Sequence, residues 1–149
     1  MINEDLKLRG DVAIVLKDKN GNVKESREIN NLVVTAGLTF ICARMAAASA
    51  DVMSHMALGS GTTAAAAGDT DLESILGSRE ALDSSTASNN TITYVSSFEA
   101  GEGTGAVTEA GVFNAASSGT MLCRTVFAVV NKQVDDTMSV TWTITLTAS

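Results

Sequence analysis

The stretch Val107–Asn131, VTEAGVFNAASSGTMLCRTVFAVVN, decides how the chain is read. Val107, Val112 and Phe113 precede a polar turn, Ala116–Gly119. Met121, Leu122, Val126, Phe127, Val129 and Val130 follow it. β-Branched and aromatic residues on both sides of a glycine-closed turn predict a β-hairpin. A hairpin cannot bury its apolar face alone, so the remaining strands must cover it. Two charges, Glu109 and Arg124, sit in this apolar company. Either they form a catalytic pair or they form an internal structural one.

Working outward, the 149 residues suit one domain, taken as 1–149, in which 1–30 forms an N-terminal hairpin able to act as an arm or edge extension. Hydrophobic residues at 45% argue against a disordered chain, and low aromatic content (4%) with abundant Ala, Thr, Ser and Gly suits closely paired sheets. The net charge is −7 and the basic residues are scattered, which argues against nucleic acid as a partner. No apolar run reaches the length of a membrane-spanning helix, and MINEDLKLRG lacks the basic and apolar regions of a signal peptide. The expectation is synthesis in the cytoplasm and no membrane partner. Cys42 and Cys123 each lie in apolar segments and read as buried free thiols.

The hairpin's neighbours supply its cover. Leu6–Ile29 reads as a second hairpin turned at Asn20-Gly21, a favoured type I′ dipeptide, with a polar return strand suited to a sheet edge. From Thr35 the period changes: Leu38, Ile41, Cys42, Met45 and Ala46 define one helical face. Thr35 is the expected cap, and the helix is expected to end near Ser49 to Asp51. Val52–Leu58 is strand-like, and the loop that follows, rich in Gly and Ala, is the segment freest to adapt to a neighbour. Leu72–Leu82 fits a short helix or a strand, and Asp83–Asn90 reads as a loop. Thr91–Phe98 is a strand, Glu99–Gly105 an acidic turn, and Met138–Leu146 the clearest alternating strand, with Ser139, Thr141, Thr143 and Thr145 on its outer face. The fold class is mainly β: a jelly-roll-like antiparallel β-sandwich of about seven or eight strands with one α-helix.

Few residues suggest chemistry. Gly59-Ser60-Gly61-Thr62-Thr63-Ala64 matches the outline of a dinucleotide-binding turn, but no second parallel strand or terminal acid follows. Gly59, Gly61, Thr62 and Thr63 are instead interface candidates. His55, the one histidine, lacks a nucleophile elbow and reads as a surface or interface residue. Asp69, Asp71 and Glu73 lack the glycine and terminal glutamate of a calcium loop. Glu109 and Arg124 lie about equally far from their turn, so they pair across the hairpin, or Glu109 takes Arg79 instead. One carboxylate without a second acid or a metal offers little basis for catalysis, whereas a buried pair specifies register. No catalytic residue, cofactor or metal is expected.

The order of short motifs carries a resemblance. NLVVTAGLTFICARM (Asn31–Met45), HMALGSGTT (His55–Thr63), DTDLES with Arg79, EAGVFNA and GTMLCRTVF (Glu109–Phe127), Lys132 and VTWTITL (Val140–Leu146) together resemble small structural proteins of tailed bacteriophages. A looser form of the succession occurs in phage tail-collar and tail-fibre attachment domains. The resemblance implies a virion component without enzymatic activity, a homo-oligomer that docks onto other phage proteins. A free-standing sandwich implies a capsid cement or decoration protein on major capsid subunits. The alternatives are a tail, collar, baseplate or fibre-attachment component, or a receptor- or carbohydrate-binding module.

Overall fold

The alternating pattern Met138, Val140, Trp142, Ile144 places these four side chains in the core and leaves the intervening serine and threonines half-exposed. This strand, β9 (Thr137–Ala148), is one of nine in a computed structural model that describes residues 5–46 and 50–148. The others are β1 (Leu6–Lys17), β2 (Val23–Val33), β3 (His55–Gly59), β4 (Glu80–Ala81), β5 (Ser84–Ser88), β6 (Thr91–Phe98), β7 (Gly105–Phe113) and β8 (Met121–Lys132). One helix, α1 (Thr35–Met45), joins β2 to β3. The expected helix end at Ser49, and residues 1–4 of the N-terminal arm, lie outside the described residues.

Every strand pairing is antiparallel, and the order is β4-β3-β7-β8-β2-β1-β9-β6-β5. The fold is mainly β, and the single sheet curls into a half-barrel. Among the described residues, the ladder between its two halves, β4-β3-β7-β8 and β2-β1-β9-β6-β5, consists of Leu32–Arg124 and Val33–Cys123. Both contribute to one core, with Val12, Ile14, Phe98, Val140 and Trp142 from one half and Met56, Leu58, Val107, Val112 and Val130 from the other. Only Leu82 and Asp83 separate β4 from β5, so the two ends of the sheet are drawn together. Ser96 Oγ on β6 donates to the Ala81 carbonyl across that gap at 3.4 Å.

Local chemistry explains the turns. Between β1 and β2, the Asp18 carboxylate accepts from the amides of Asn20 and Asn22, both at 2.9 Å. Gly21 alone takes positive φ (+82°) there, so the hairpin closes through a longer Asx-type loop rather than the two-residue type I′ turn expected at Asn20-Gly21. The β2 strand is polar as expected, and Arg27 reaches across to the Ala128 and Val129 carbonyls of β8 where direct pairing has stopped.

Three expectations need correction. Asp83–Asn90, read as a loop, contains β5, which pairs with β6 although all five of its residues are exposed. The loop reading followed from its lack of apolar residues, but here pairing alone makes the strand. Secondly, α1 does not bury Leu38, Cys42 and Met45, which are all exposed. It lies on β8 through Gly37, where an added Cβ would fall 2.1 Å from the Leu122 carbonyl oxygen, while Phe40 and Ile41 pack onto the core. Cys42 is therefore an exposed free thiol, and only Cys123 is buried. Finally, Thr35 does not cap the helix: Val34 is the N-cap, and the Thr35 amide donates to the Ala67 carbonyl at 2.8 Å.

Candidate functional site

The outer surface of the β3–β7–β8 half is covered by the chain between β3 and β4, so β7 is buried on both faces from Val107 to Phe113. Val107 and Val112 face the main core, whereas Phe113 and Met121 pack with Leu72 of the covering segment in a second, smaller cluster. The Glu109 carboxylate lies beneath this cover and is fully buried.

Glu109 faces Val126 in the β7–β8 register, and Arg124 faces Gly111, so the two charges are diagonal neighbours on one face. Gly111, having no side chain, leaves room between them. Arg124 Nε donates to Glu109 Oε2 at 2.9 Å, and Nη2 lies 2.8 Å from the same oxygen. Glu109 also gathers the covering segment: Oε1 accepts from the amides of Gly61 (3.0 Å) and Ser74 (2.8 Å), and Oε2 from the amide of Glu73 (3.1 Å). Arg124 holds the same segment from its other side, donating to Asp69 Oδ2 at 2.9 Å and to the Thr63 carbonyl at 3.1 Å. Thr108 Oγ1 adds a 2.7 Å bond to the Gly61 carbonyl.

The electrostatics follow from this geometry. Burial pushes the Glu109 pKa up, but the amides of Ser74 and Glu73, the Arg124 guanidinium and the Gly61 amide outweigh it and hold the carboxyl below its ordinary value. Burial likewise opposes the Arg124 charge, and its bonds to Glu109 and Asp69 more than restore it. A carboxylate so engaged has no free lone pair to accept a substrate proton. Its chemistry is to hold backbone, and breaking it would strand the buried Gly61 amide and the Arg124 guanidinium.

The sequence-derived candidates separate accordingly. Glu109 and Arg124 are brought together; Arg79 is not part of their pair. It donates instead to the Ala115 and Ser118 carbonyls of the β7–β8 turn at 2.9 and 2.7 Å, and lies 3.6 Å over the Phe113 ring. Gly59 and Gly61 lie inside the fold. Both are buried against Glu109, and a Cβ at either would come within 2.5 Å of Oε1. Thr62 and Thr63 are exposed. The expectation that this loop is free to adapt fails for the same reason: it is tied down at Gly61, Thr63, Asp69, Glu73 and Ser74. His55 is half-buried, its Nδ1 2.8 Å from Ser54 Oγ.

A second polar centre was missed by sequence reasoning. Lys132 is buried, its Nζ donating to the carbonyls of Glu99 (2.9 Å) and Asp136 (2.6 Å). Burial lowers its pKa against the pull of Asp136, Glu102 and Glu99. The buried Asp136 carboxylate accepts from Lys24 Nζ at 2.7 Å, which leads the causes holding its pKa down. Lys24 is 112 residues away in sequence, so no spacing marks the pair. Among the described residues, no group of three or more His, Cys, Asp or Glu side chains is placed to hold a metal ion.

The remaining polar surface is of a different kind. On the outer face of β5, β6 and β9, Thr86, Thr93 and Thr143 form a cross-strand row, flanked by Thr91, Thr141 and Thr145. Thr93 and Thr143 hydroxyls lie 3.4 Å apart. The charges that border these rows are the Asp83 carboxylate, which accepts from Ser97 Oγ of β6 at 2.7 Å, the Glu99 carboxylate, which accepts from Thr137 Oγ1 of β9 at 3.3 Å, and the Arg9–Asp11 pair of β1 at 3.0 Å.

Comparison with known proteins finds no matching family model, no matching curated protein and no matching solved structure.

Proposed function

We propose that the chain is a non-enzymatic structural component of a tailed-bacteriophage virion, and specifically a cement or decoration protein that docks on major capsid subunits. The observation that carries this reading is how the residues of the motif succession relate to one another. Gly59 and Gly61 of the G-S-G turn wrap the carboxylate of Glu109 from the E-A-G-V-F motif. Arg124 of the next motif closes on the same carboxylate, and Lys132 ties the following turn to the β6–β7 connection. The shared residues are thus the ones that build the fold, and a signature of that kind marks a scaffold whose work is done by its surfaces. The threonine rows on the outer face of β5, β6 and β9 are the docking surface in this reading. Hydroxyl groups cost less to desolvate than charged ones and can bond to a partner's backbone, and the net charge of −7 opposes unspecific clustering of free copies.

The test is to incubate the purified protein with empty capsids and, separately, with tails, and to sediment each mixture. Co-sedimentation with capsids supports the cement reading. Association with tails alone replaces it with the tail, collar or fibre-attachment alternative. Binding to a glycan array without association with either particle overturns both in favour of a carbohydrate-binding module.

A further inference from the structure

The ends of this sheet are protected unequally. Beyond β3, the chain from Ser74 to Leu82 supplies a row of backbone partners: Ser60 to Ser74, Leu76 to Leu58, the Gly59–Ile75 bridge, and Leu82 to Ser54. Where β2 and β8 part, the edge carries Lys24, Glu25, Arg27 and Glu28, charges that discourage pairing. The opposite end has neither device. β5 reads Ser84-Ser85-Thr86-Ala87-Ser88, is uncharged and contains no proline. Its five residues are exposed on both faces, and among the described residues it pairs with β6 alone.

The direction of its open hydrogen bonds follows from the neighbouring pairings. Val95 directs its carbonyl at β5, accepting from Asp83 at 2.7 Å, and Asn90 directs its carbonyl at β9, accepting from Leu146 at 2.9 Å. Alternation along the strand then turns Ser84, Thr86 and Ser88 toward β6, and points the amides and carbonyls of Ser85 and Ala87 outward.

We propose that β5 is a self-association edge, at which a second copy of this chain pairs antiparallel with the first about a two-fold axis through Thr86. This register sets Ser85 opposite Ala87 of the second copy in hydrogen-bonded pairs. Thr86 meets Thr86, and Ser84 meets Ser88, in the close non-hydrogen-bonded pairs where hydroxyl side chains interact favourably. The nearest charge, Asp83, falls opposite the neutral Asn89, so two chains of net charge −7 meet at a seam without like-charge contact. A strand of small residues offers no side-chain key to a different partner, because specificity in strand addition comes from pockets for alternate side chains. A self-complementary edge needs no such key. An apolar groove of about 480 Å³ opens on the inner side of the same strand, with Ser85 in its wall beside Met45, Val52, Ile92 and Tyr94. The seam is therefore continuous with exposed apolar surface. This edge supplies the self-association expected within the virion reading and rests on that reading only for its setting.

Sedimentation equilibrium of the full chain over a range of concentrations tests it. The expected result is a reversible dimer. Thr86→Lys, which opposes two ammonium groups on the axis, and Ala87→Pro, which removes an outward amide, are each expected to weaken it by roughly tenfold or more. Val134→Lys adds the same charge to an exposed site at the other end of β9 and is expected to leave the dimer intact. Circular dichroism checks that each variant keeps its strands. A wild-type chain that stays monomeric, or a dimer that neither substitution weakens, overturns the inference. Capsid co-sedimentation by a monomeric chain would do so while leaving the virion reading standing.

Discussion

In the β3–β7–β8 half of the sheet, polar groups are turned inward and consumed: the buried Glu109 carboxylate accepts from three backbone amides and a guanidinium. In the β9–β6–β5 half they are turned outward and left open, as a half-exposed field of threonines ending at a bare strand. Charge is central to the first half, whereas in the second it only borders the outer threonine rows, at Asp83 and Glu99. The difference teaches where to look for function. A charged cluster in an apolar setting attracts attention as a site, yet here its geometry closes on itself, while the plain Ser/Thr surface keeps its bonding capacity for something else.

The comparison breaks most visibly at Glu109. Glu109→Ala leaves the buried Arg124 guanidinium without its central partner and the amides of Gly61, Glu73 and Ser74 without their acceptor. The expected loss is about 3–5 kcal/mol of unfolding free energy, measured by denaturant titration. A loss under about 1 kcal/mol would mean that the cluster does not hold the covering segment. Next in size is Gly61→Ala, whose Cβ meets both Glu109 Oε1 and Glu73 Cβ at 2.5 Å. Overpacking of this kind costs about 1–3 kcal/mol, and Glu109→Gln in the same background should change the penalty because the two sites share an atom contact.

Acid sharpens the contrast without mutation. The Glu109 carboxyl is held below its ordinary value, so its stabilising contribution is complete above the unfolded-state pKa of about 4.3 and is lost as pH falls through the lower native value. Amide exchange at Gly61, Glu73 and Ser74 is expected to accelerate over that window, relative to global opening, and Glu109→Gln is expected to reduce the pH dependence to the part carried by Asp69, whose carboxyl the Ala66 amide and Arg124 also hold low. Unchanged protection of these amides through the acid transition would contradict the assignment. The smallest effect belongs to the other half: Thr143→Lys is expected to shift stability by no more than about 0.5 kcal/mol while weakening capsid docking.

The features that followed a period were legible in the sequence. The alternation of Met138–Leu146 and the turn residues at Gly21 and Gly119 announced their strands and hairpins. The Glu109–Arg124 pair was legible too, from equal distance to a turn. What stayed hidden depended on backbone or on small residues. The amides of Gly61, Glu73 and Ser74 leave no residue-type trace beyond the G-S-G spacing, so the loop's anchoring could not be read. The helix was oriented by its large apolar residues, whereas its closest approach to the sheet is made by Gly37. The β5 strand has no apolar residue pattern, because its inner face is also exposed.

One measurement tests the division of labour between the halves most directly: amide hydrogen exchange of the protein free and bound to capsids. The expected result is new protection in residues 84–98 and 137–148, with residues 60–74 unchanged because they cover the other half of the sheet, away from the docking face. New protection centred on Thr62–Glu73, with β5, β6 and β9 unaffected, would contradict that division.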